Sequence, residues 1–142
     1  MRIVSIGGGP AGLYFSLLMK KSFPHLEVEV FEKNKADDAF GWGVVFSRET
    51  LGNFRDADPQ SLAAIESRFA YWDDIQTTLR GKSSVSTGHG FCGLARKELL
   101  QLLQHRCEEL GVKLTFQKEL PVEPLPEADL IIGCDGVHSP LR

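Results

Sequence analysis

Ile3-Val4-Ser5-Ile6-Gly7-Gly8-Gly9-Pro10-Ala11-Gly12 carries a β-branched run straight into a glycine turn, and an apolar helical pattern follows at once. Each glycine of Gly7-x-Gly9-x-x-Gly12 has a separate physical use. Gly7 permits a tight strand-to-helix turn. Gly9 lets the backbone approach a diphosphate with no Cβ in the way, and Gly12 lets the helix pack close to the strand. The N–H groups at the helix start, together with the helix dipole, suit an anionic diphosphate. Glu32 lies 20 residues beyond Gly12 and closes a second apolar run, Val28-Glu29-Val30-Phe31-Glu32. A carboxylate there can accept hydrogen bonds from an adenosine ribose. A lone GxGxxG says little. Placed between strand and helix, with a carboxylate at this spacing, it predicts a dinucleotide fold rather than a Gly-rich turn.

The 142 residues suit one domain with a real core, and 42% hydrophobic with 25% charged residues is ordinary globular composition. A net charge of −3 lends no support to nucleic-acid or anionic-membrane binding. The three cysteines, Cys92, Cys107 and Cys134, show neither CxxC nor Cys/His metal spacing. They read as free, largely buried thiols of a reducing cytoplasm. The N-terminal apolar run is only a strand long, so no signal peptide is expected. No stretch approaches the roughly 18 apolar residues that span a membrane. The chain stops at Arg142, directly after a second motif, and the expectation is a piece of a longer protein.

Outward from the glycine turn, Pro10 to Lys21 predicts the first helix, with Phe23-Pro24 as its stop. Glu27–Glu32 predicts the second strand. Lys33–Phe46 reads as a loop. Ser47 can cap a helix over Arg48–Phe54, and Asp58-Pro59 starts another that continues through Leu62, Ile65 and Phe69. Tyr71–Leu79 and Ser83–Thr87 predict strands around a turn at Arg80-Gly81. Leu99, Leu100, Leu103 and Cys107 give Ala95–Leu110 a helical stripe, with Gly111 as its C-cap. Val112–Phe116 predicts a strand, and Pro121, Pro124 and Pro126 a non-helical connection. Asp129–Gly133 predicts a last strand suited to burial on both faces. The fold class is α/β: a Rossmann-like FAD/NAD(P)-binding fold with a parallel sheet, interrupted at about residues 47–94.

Leu130-Ile-Ile-Gly-Cys-Asp-Gly-Val-His-Ser-Pro-Leu-Arg142 holds the second motif, Asp135-Gly136-x-x-Ser139-x-x-Arg142. Here the chain resembles the FAD-dependent aromatic monooxygenases of the para-hydroxybenzoate hydroxylase type. In that family this turn helps bind the flavin pyrophosphate and the nicotinamide donor, which the resemblance carries to Asp135 and Gly136. Without the family, an Asp-Gly turn after a buried strand is a common event. Arg96, Leu99 and Leu103 match the family's Arg-x-x-Leu-x-x-x-Leu at a helix start, which places Arg96 near the flavin. A solvated surface arginine is the plainer alternative. Asp38–Leu51, with Gly41-Trp42-Gly43 at its centre, and Tyr71-Trp72-Asp73-Asp74-Ile75 are similar to the salicylyl-CoA 5-hydroxylase and 2-aminobenzoyl-CoA monooxygenase branch. The hydroxylase of violacein synthesis is also similar around Gly41–Val44. Gly-Trp-Gly suits a loop closing on a ring; a core tryptophan anchoring that loop explains it equally well.

The resemblance implies that residues 1–142 are the FAD-binding part of a longer enzyme, with 47–94 as part of a substrate-facing layer. The flavin's ribityl contact and the sheet over the substrate would lie in segments not among these residues. The implied activity is hydroxylation of a small aromatic substrate, an acyl-CoA by preference, with FAD, O2 and NADH or NADPH. The candidate cofactor-binding set is Gly7, Gly9, Pro10, Ala11, Gly12, Glu32, Lys33, Arg96, Asp135 and Gly136. No residue is assigned as acid, base or nucleophile, and none as a metal ligand; His25, His89, His105 and His138 have no ligand partners at spacing. Two rivals stand: an NAD-linked dehydrogenase domain, and a nucleotide-binding fragment with no activity of its own. No nucleic-acid or membrane partner is expected.

Overall fold

A computed structural model describes residues 1–141. In chain order the elements are β1 (Arg2–Ile6), α1 (Pro10–Ser22), β2 (Glu27–Phe31), β3 (Gly43–Phe46), α2 (Arg48–Ala57), α3 (Pro59–Glu66), β4 (Ala70–Trp72), β5 (Ile75–Leu79), β6 (Lys82–Ser86), β7 (Phe91–Ala95), α4 (Arg96–Leu110), β8 (Lys113–Thr115) and β9 (Leu130–Gly133). The chain divides into two compact units: Met1–Phe40 with the chain from Lys97 onward, and Gly41–Arg96.

The first unit is built on a parallel sheet of order β8-β2-β1-β9. β1 has a partner on each side, so its apolar run is buried: Ile3, Val4 and Ser5 have no exposed surface. Pro10 starts α1, where its missing N–H costs nothing, and Leu13 and Leu17 are fully buried. Lys20, in the last turn, donates from Nζ to the carbonyls of Pro24 (2.9 Å) and Leu26 (2.6 Å) and holds the turn into β2. The Leu99, Leu100, Leu103 and Cys107 stripe of α4 is buried as its spacing predicts. Cys107 Sγ reaches the Leu13 carbonyl at 3.4 Å, which ties α4 to α1. Gly111, at φ +84°, ends the helix.

Burial sorts the thiols. It pushes Cys107 up to about 12, with Glu108 adding to the rise and a backbone bond near Leu17 opposing it. Burial, then Glu66, also raises Cys92. Cys134 is only half-buried. Labelling the folded protein with Ellman's reagent at pH 8 should therefore modify Cys134 alone, and the other two only in denaturant. Three fast thiols would contradict this packing.

The second unit carries an antiparallel sheet of order β3-β7-β4 and a separate β5–β6 hairpin. On one face Phe46 meets Phe54 (5.9 Å) and Phe69 (5.5 Å), and Phe69 meets Tyr71 (5.8 Å). On the other face Trp72 lies against Phe91 (5.9 Å) and over Gly93, where a Cβ would come within 3.2 Å of the indole.

Several expectations change here. Lys33–Phe46 is not all loop, because Gly43–Phe46 pairs with β7; a four-residue strand beside a distant partner has no local signature. Phe91–Ala95 forms β7, for which the sequence predicts no strand, and α4 starts at Arg96 rather than Ala95. Tyr71–Leu79 is two strands, broken at Asp73-Asp74. The Asp73 carbonyl accepts from His89 N (3.1 Å) and its carboxylate from Gly90 N (3.1 Å), which turns the chain away. Arg80 (φ 50°) and Gly81 (φ 76°) make the two-residue hairpin turn. Asp58 starts α3 without capping its backbone; its buried carboxylate accepts from Ser61 Oγ instead, at 2.6 Å. The core-anchor reading of Trp42 fails, since it is 99% exposed. β9 is not buried on both faces: it is an edge strand among the described residues, and Leu130 is 36% exposed.

Candidate functional site

β1 and β9 are parallel neighbours that end at the same level, with Ile6 opposite Gly133. Cys134 N then donates to the Ile6 carbonyl at 2.7 Å. The glycine turn and the Cys134–Gly136 turn thus leave the sheet side by side, as one shared diphosphate site requires. The packing between them is close. Gly7 sits at φ +111°, and a Cβ on it would overlap the Cys134 carbonyl. A Cβ on Gly12 would overlap the Gly7 carbonyl and press on Ser5 Oγ at 3.0 Å and Cys134 Cβ at 3.1 Å.

Gly9 is different. Its φ of −72° is open to any residue, and nothing lies within 4 Å of where its Cβ would stand. The missing side chain leaves room in front of the turn. Gly9 is also the N-cap of α1, and no side chain caps that helix. Pro10 has no N–H to offer; the amides of Ala11 and Gly12 have no acceptor within the helix. Those two amides and the helix dipole can receive an anion. Not every amide of the turn is available. Gly7 N donates to the Phe31 carbonyl (2.8 Å) and Gly8 N to Glu32 Oε2 (2.7 Å).

Glu32 stands at the end of β2, half-buried. Its backbone is pinned on both sides, N–H to the Thr115 carbonyl and C=O from Lys118 N, each at 2.9 Å. Its Oε1 accepts from the backbone N–H of Asn34 (2.8 Å) and from Asn34 Nδ2 (2.6 Å). Lys33, between them, is exposed. On the other flank, Asp135 is half-buried and Gly136 sits at φ +93°. Ser139 N donates to the Gly136 carbonyl (3.2 Å), and Ser139 Oγ accepts from Leu141 N (3.1 Å). Gly133, Asp135, Gly136 and Ser139 line a cavity of about 330 Å³ beside β9. That cavity takes in the second turn and not the glycine turn. Arg142, the last member of the motif, lies outside the described residues.

The structure therefore brings together Gly7, Gly9, Pro10, Ala11, Gly12, Glu32, Asp135 and Gly136. Arg96 belongs to the second unit, at the junction of β7 and α4. Its backbone N–H donates to the Trp42 carbonyl (3.2 Å), and its aliphatic stem lies beside Gly41. Sequence reasoning missed Gly8 and Asn34. Gly8 is an unspecified position of the motif, yet a Cβ there would come within 2.9 Å of Glu32 Cβ. Asn34 had only the general tendency of Asn to bond nearby backbone and side chains. Among the described residues no three His, Cys, Asp or Glu side chains converge as metal ligands. No helix among them is long and apolar enough to cross a membrane.

An uncapped helix start, open space at Gly9 and a half-buried acceptor carboxylate fit the adenosine diphosphate half of a dinucleotide. The fold is Rossmann-like α/β, built on a parallel sheet. No family model matches the chain. A salicyloyl-CoA 5-hydroxylase of a Streptomyces species is 44% identical over all of the chain, which spans 28% of that protein. A crystal structure of 2-methyl-3-hydroxypyridine-5-carboxylic acid oxygenase superposes with a TM-score of 0.81 at 27% identity, over 99% of this chain and 41% of the oxygenase. A protein named CtdE, solved with FAD and a substrate, shares the fold with a TM-score of 0.76 at 22% identity, over 98% of this chain and 38% of its own. The first two are named as a hydroxylase and an oxygenase, and the chain spans less than half the length of each of these three.

Proposed function

We propose that this chain is the nucleotide-binding part of an FAD-dependent aromatic monooxygenase and holds the ADP half of FAD. The observation that carries the reading is the side-by-side exit of the glycine turn and the Asp135-Gly136 turn from neighbouring parallel strands, with Glu32 beside them. When bound, FAD supplies the redox chemistry that joins a nicotinamide donor, O2 and an aromatic ring. The protein's share is placement. Ala11 and Gly12 amides receive the diphosphate, and the space before Gly9 admits it. Glu32 accepts from the ribose, and its charge disfavours a 2′-phosphate at this position. Asp135 and Gly136 close the other flank, and Lys33 completes the set. The substrate is an aromatic ring carried as a CoA thioester, the kind named in the Streptomyces relative, and the donor is NADH or NADPH. Segment 47–94 forms part of the substrate-facing layer, and the exposed Trp42 loop that precedes it can close on a ring. The setting is the cytoplasm, which suits three free cysteines.

Titration with FAD, followed by flavin fluorescence, tests the reading. FAD should bind at one site from which ADP displaces it, and NADP should displace it poorly. Binding that ADP leaves untouched would sink it. Glu32→Ala should weaken FAD and ADP alike by about 1–3 kcal/mol, since ribose hydroxyls lose a charged acceptor. Unchanged affinity in calorimetry would place the ribose elsewhere.

A further inference from the structure

Asn34 donates two hydrogen bonds to one oxygen of the candidate ribose carboxylate. Its backbone N–H and its Nδ2 both meet Glu32 Oε1, at 2.8 and 2.6 Å, while Gly8 N meets Oε2 at 2.7 Å. A carboxylate offers about four lone-pair sites. Three are filled by this chain, and the one left lies on Oε2, the oxygen that also holds Gly8 in the glycine turn. Oε1 is saturated and cannot rotate into the ribose position without breaking both Asn34 bonds. The side-chain bond is the short one, and it is charge-assisted.

We propose that Asn34 is a positioning residue for nucleotide recognition. It saturates Oε1, fixes the plane of the Glu32 carboxylate, and leaves a single aimed acceptor on Oε2 for a ribose hydroxyl. The same carboxylate joins the loop after β2 to the glycine turn through Oε2 and Gly8. Preorganisation of this kind raises affinity by removing an ordering cost from the binding step. The inference rests on the ribose reading of Glu32 and adds to it a residue that the glycine fingerprint does not contain.

The test compares ADP with 2′,3′-dideoxy-ADP, which keeps the diphosphate and lacks both ribose hydroxyls, by calorimetry on the protein. Asn34→Leu keeps the size and removes the side-chain donors. Asn34→Asp keeps the shape and turns the donor into a repelling acceptor, and it serves should the leucine variant fold poorly. Asn34→Leu should weaken ADP about tenfold, the effect of losing one hydrogen bond to a charged group, and leave dideoxy-ADP unchanged. Asn34→Asp should weaken ADP more than dideoxy-ADP. In a Glu32→Gln background the leucine substitution should add little, because the two residues act as one unit. A structural role alone would lower both ligands equally, and that result overturns the proposal. It is also overturned if Glu32→Gln weakens ADP while both Asn34 variants bind it normally. If Glu32→Gln leaves ADP affinity unchanged, the ribose reading itself falls, a result distinct from either failure of Asn34.

Discussion

Gly12→Ala is expected to lower stability by about 3 kcal/mol and to abolish measurable nucleotide binding. One methyl group there has nowhere to go. It would overlap the Gly7 carbonyl, with Ser5 Oγ at 3.0 Å and Cys134 Cβ at 3.1 Å behind it. Ser5 is buried in β1 and Gly7 follows that strand's end, and backbone cannot step aside as a flexible side chain does. Overpacking of this kind typically costs about 1–3 kcal/mol, and rigid surroundings put Gly12 at the upper end. Relief requires moving α1 away from β1, which also carries the Ala11 and Gly12 amides off the diphosphate position. Gly9→Ala is the contrasting experiment, because its Cβ points into open space. Stability should change by less than about 1 kcal/mol, the penalty of a poorer N-cap residue. Nucleotide affinity should still fall at least about tenfold, the methyl occupying ligand space. Urea unfolding and ADP titration of the two variants check both halves. A Gly12→Ala protein as stable as the parent would mean that α1 does not approach β1 this closely.

The second large effect is expected at Glu29. Its side chain is 4% exposed and bonds Lys113 Nζ (2.7 Å), Arg2 Nη2 (3.0 Å) and Thr115 Oγ1 (3.1 Å). These contacts fasten β1 and β8 to β2 on one face of the sheet. Removing one member of a buried ion pair costs about 3–5 kcal/mol when the partner stays buried. Lys113 is 70% exposed and can rehydrate, so Glu29→Ala should cost about 3 kcal/mol, the low end. Burial alone would raise this carboxyl's pKa; hydrogen bonds from Lys113, Arg2 and Thr115 outweigh it, and the net shift is downward. The unfolded chain therefore takes up this proton at a higher pH than the folded chain does. The stabilisation is complete above the ordinary value of 4.5 and fades as pH falls below it through the lowered folded value. Urea midpoints from pH 6 to pH 3 should show the gap between parent and variant narrowing on the acid side. A gap independent of pH would assign the loss to packing.

The parallel sheet was legible because each of its parts is local. A β-branched run, three glycines and a carboxylate at the end of the next strand state β1, the turn, α1 and β2 in one segment. The α4 stripe and Gly111 are equally local. The Asp135-Gly136 turn lies next to the glycine turn because both follow apolar strands at the same end of the sheet. What stayed hidden depends on distant partners. Gly43–Phe46 becomes a strand only because Phe91–Ala95 is there to pair with it. The break at Asp73 needs His89 and Gly90, sixteen and seventeen residues on. The edge position of β9 is set by its neighbours in the sheet, which an apolar Leu-Ile-Ile cannot report. The commitment of Gly8 and Asn34 to Glu32 is a matter of side-chain aim, which no spacing rule carries.

Amide chemical shifts of the ¹⁵N-labelled protein under titration with ADP test the central claim most directly. One site requires that Gly9, Ala11 and Gly12, Glu32 and Asn34, and Asp135 and Gly136 shift together and saturate with a single dissociation constant. Shifts confined to one of the three segments, or centred elsewhere in the chain, would contradict a shared nucleotide site.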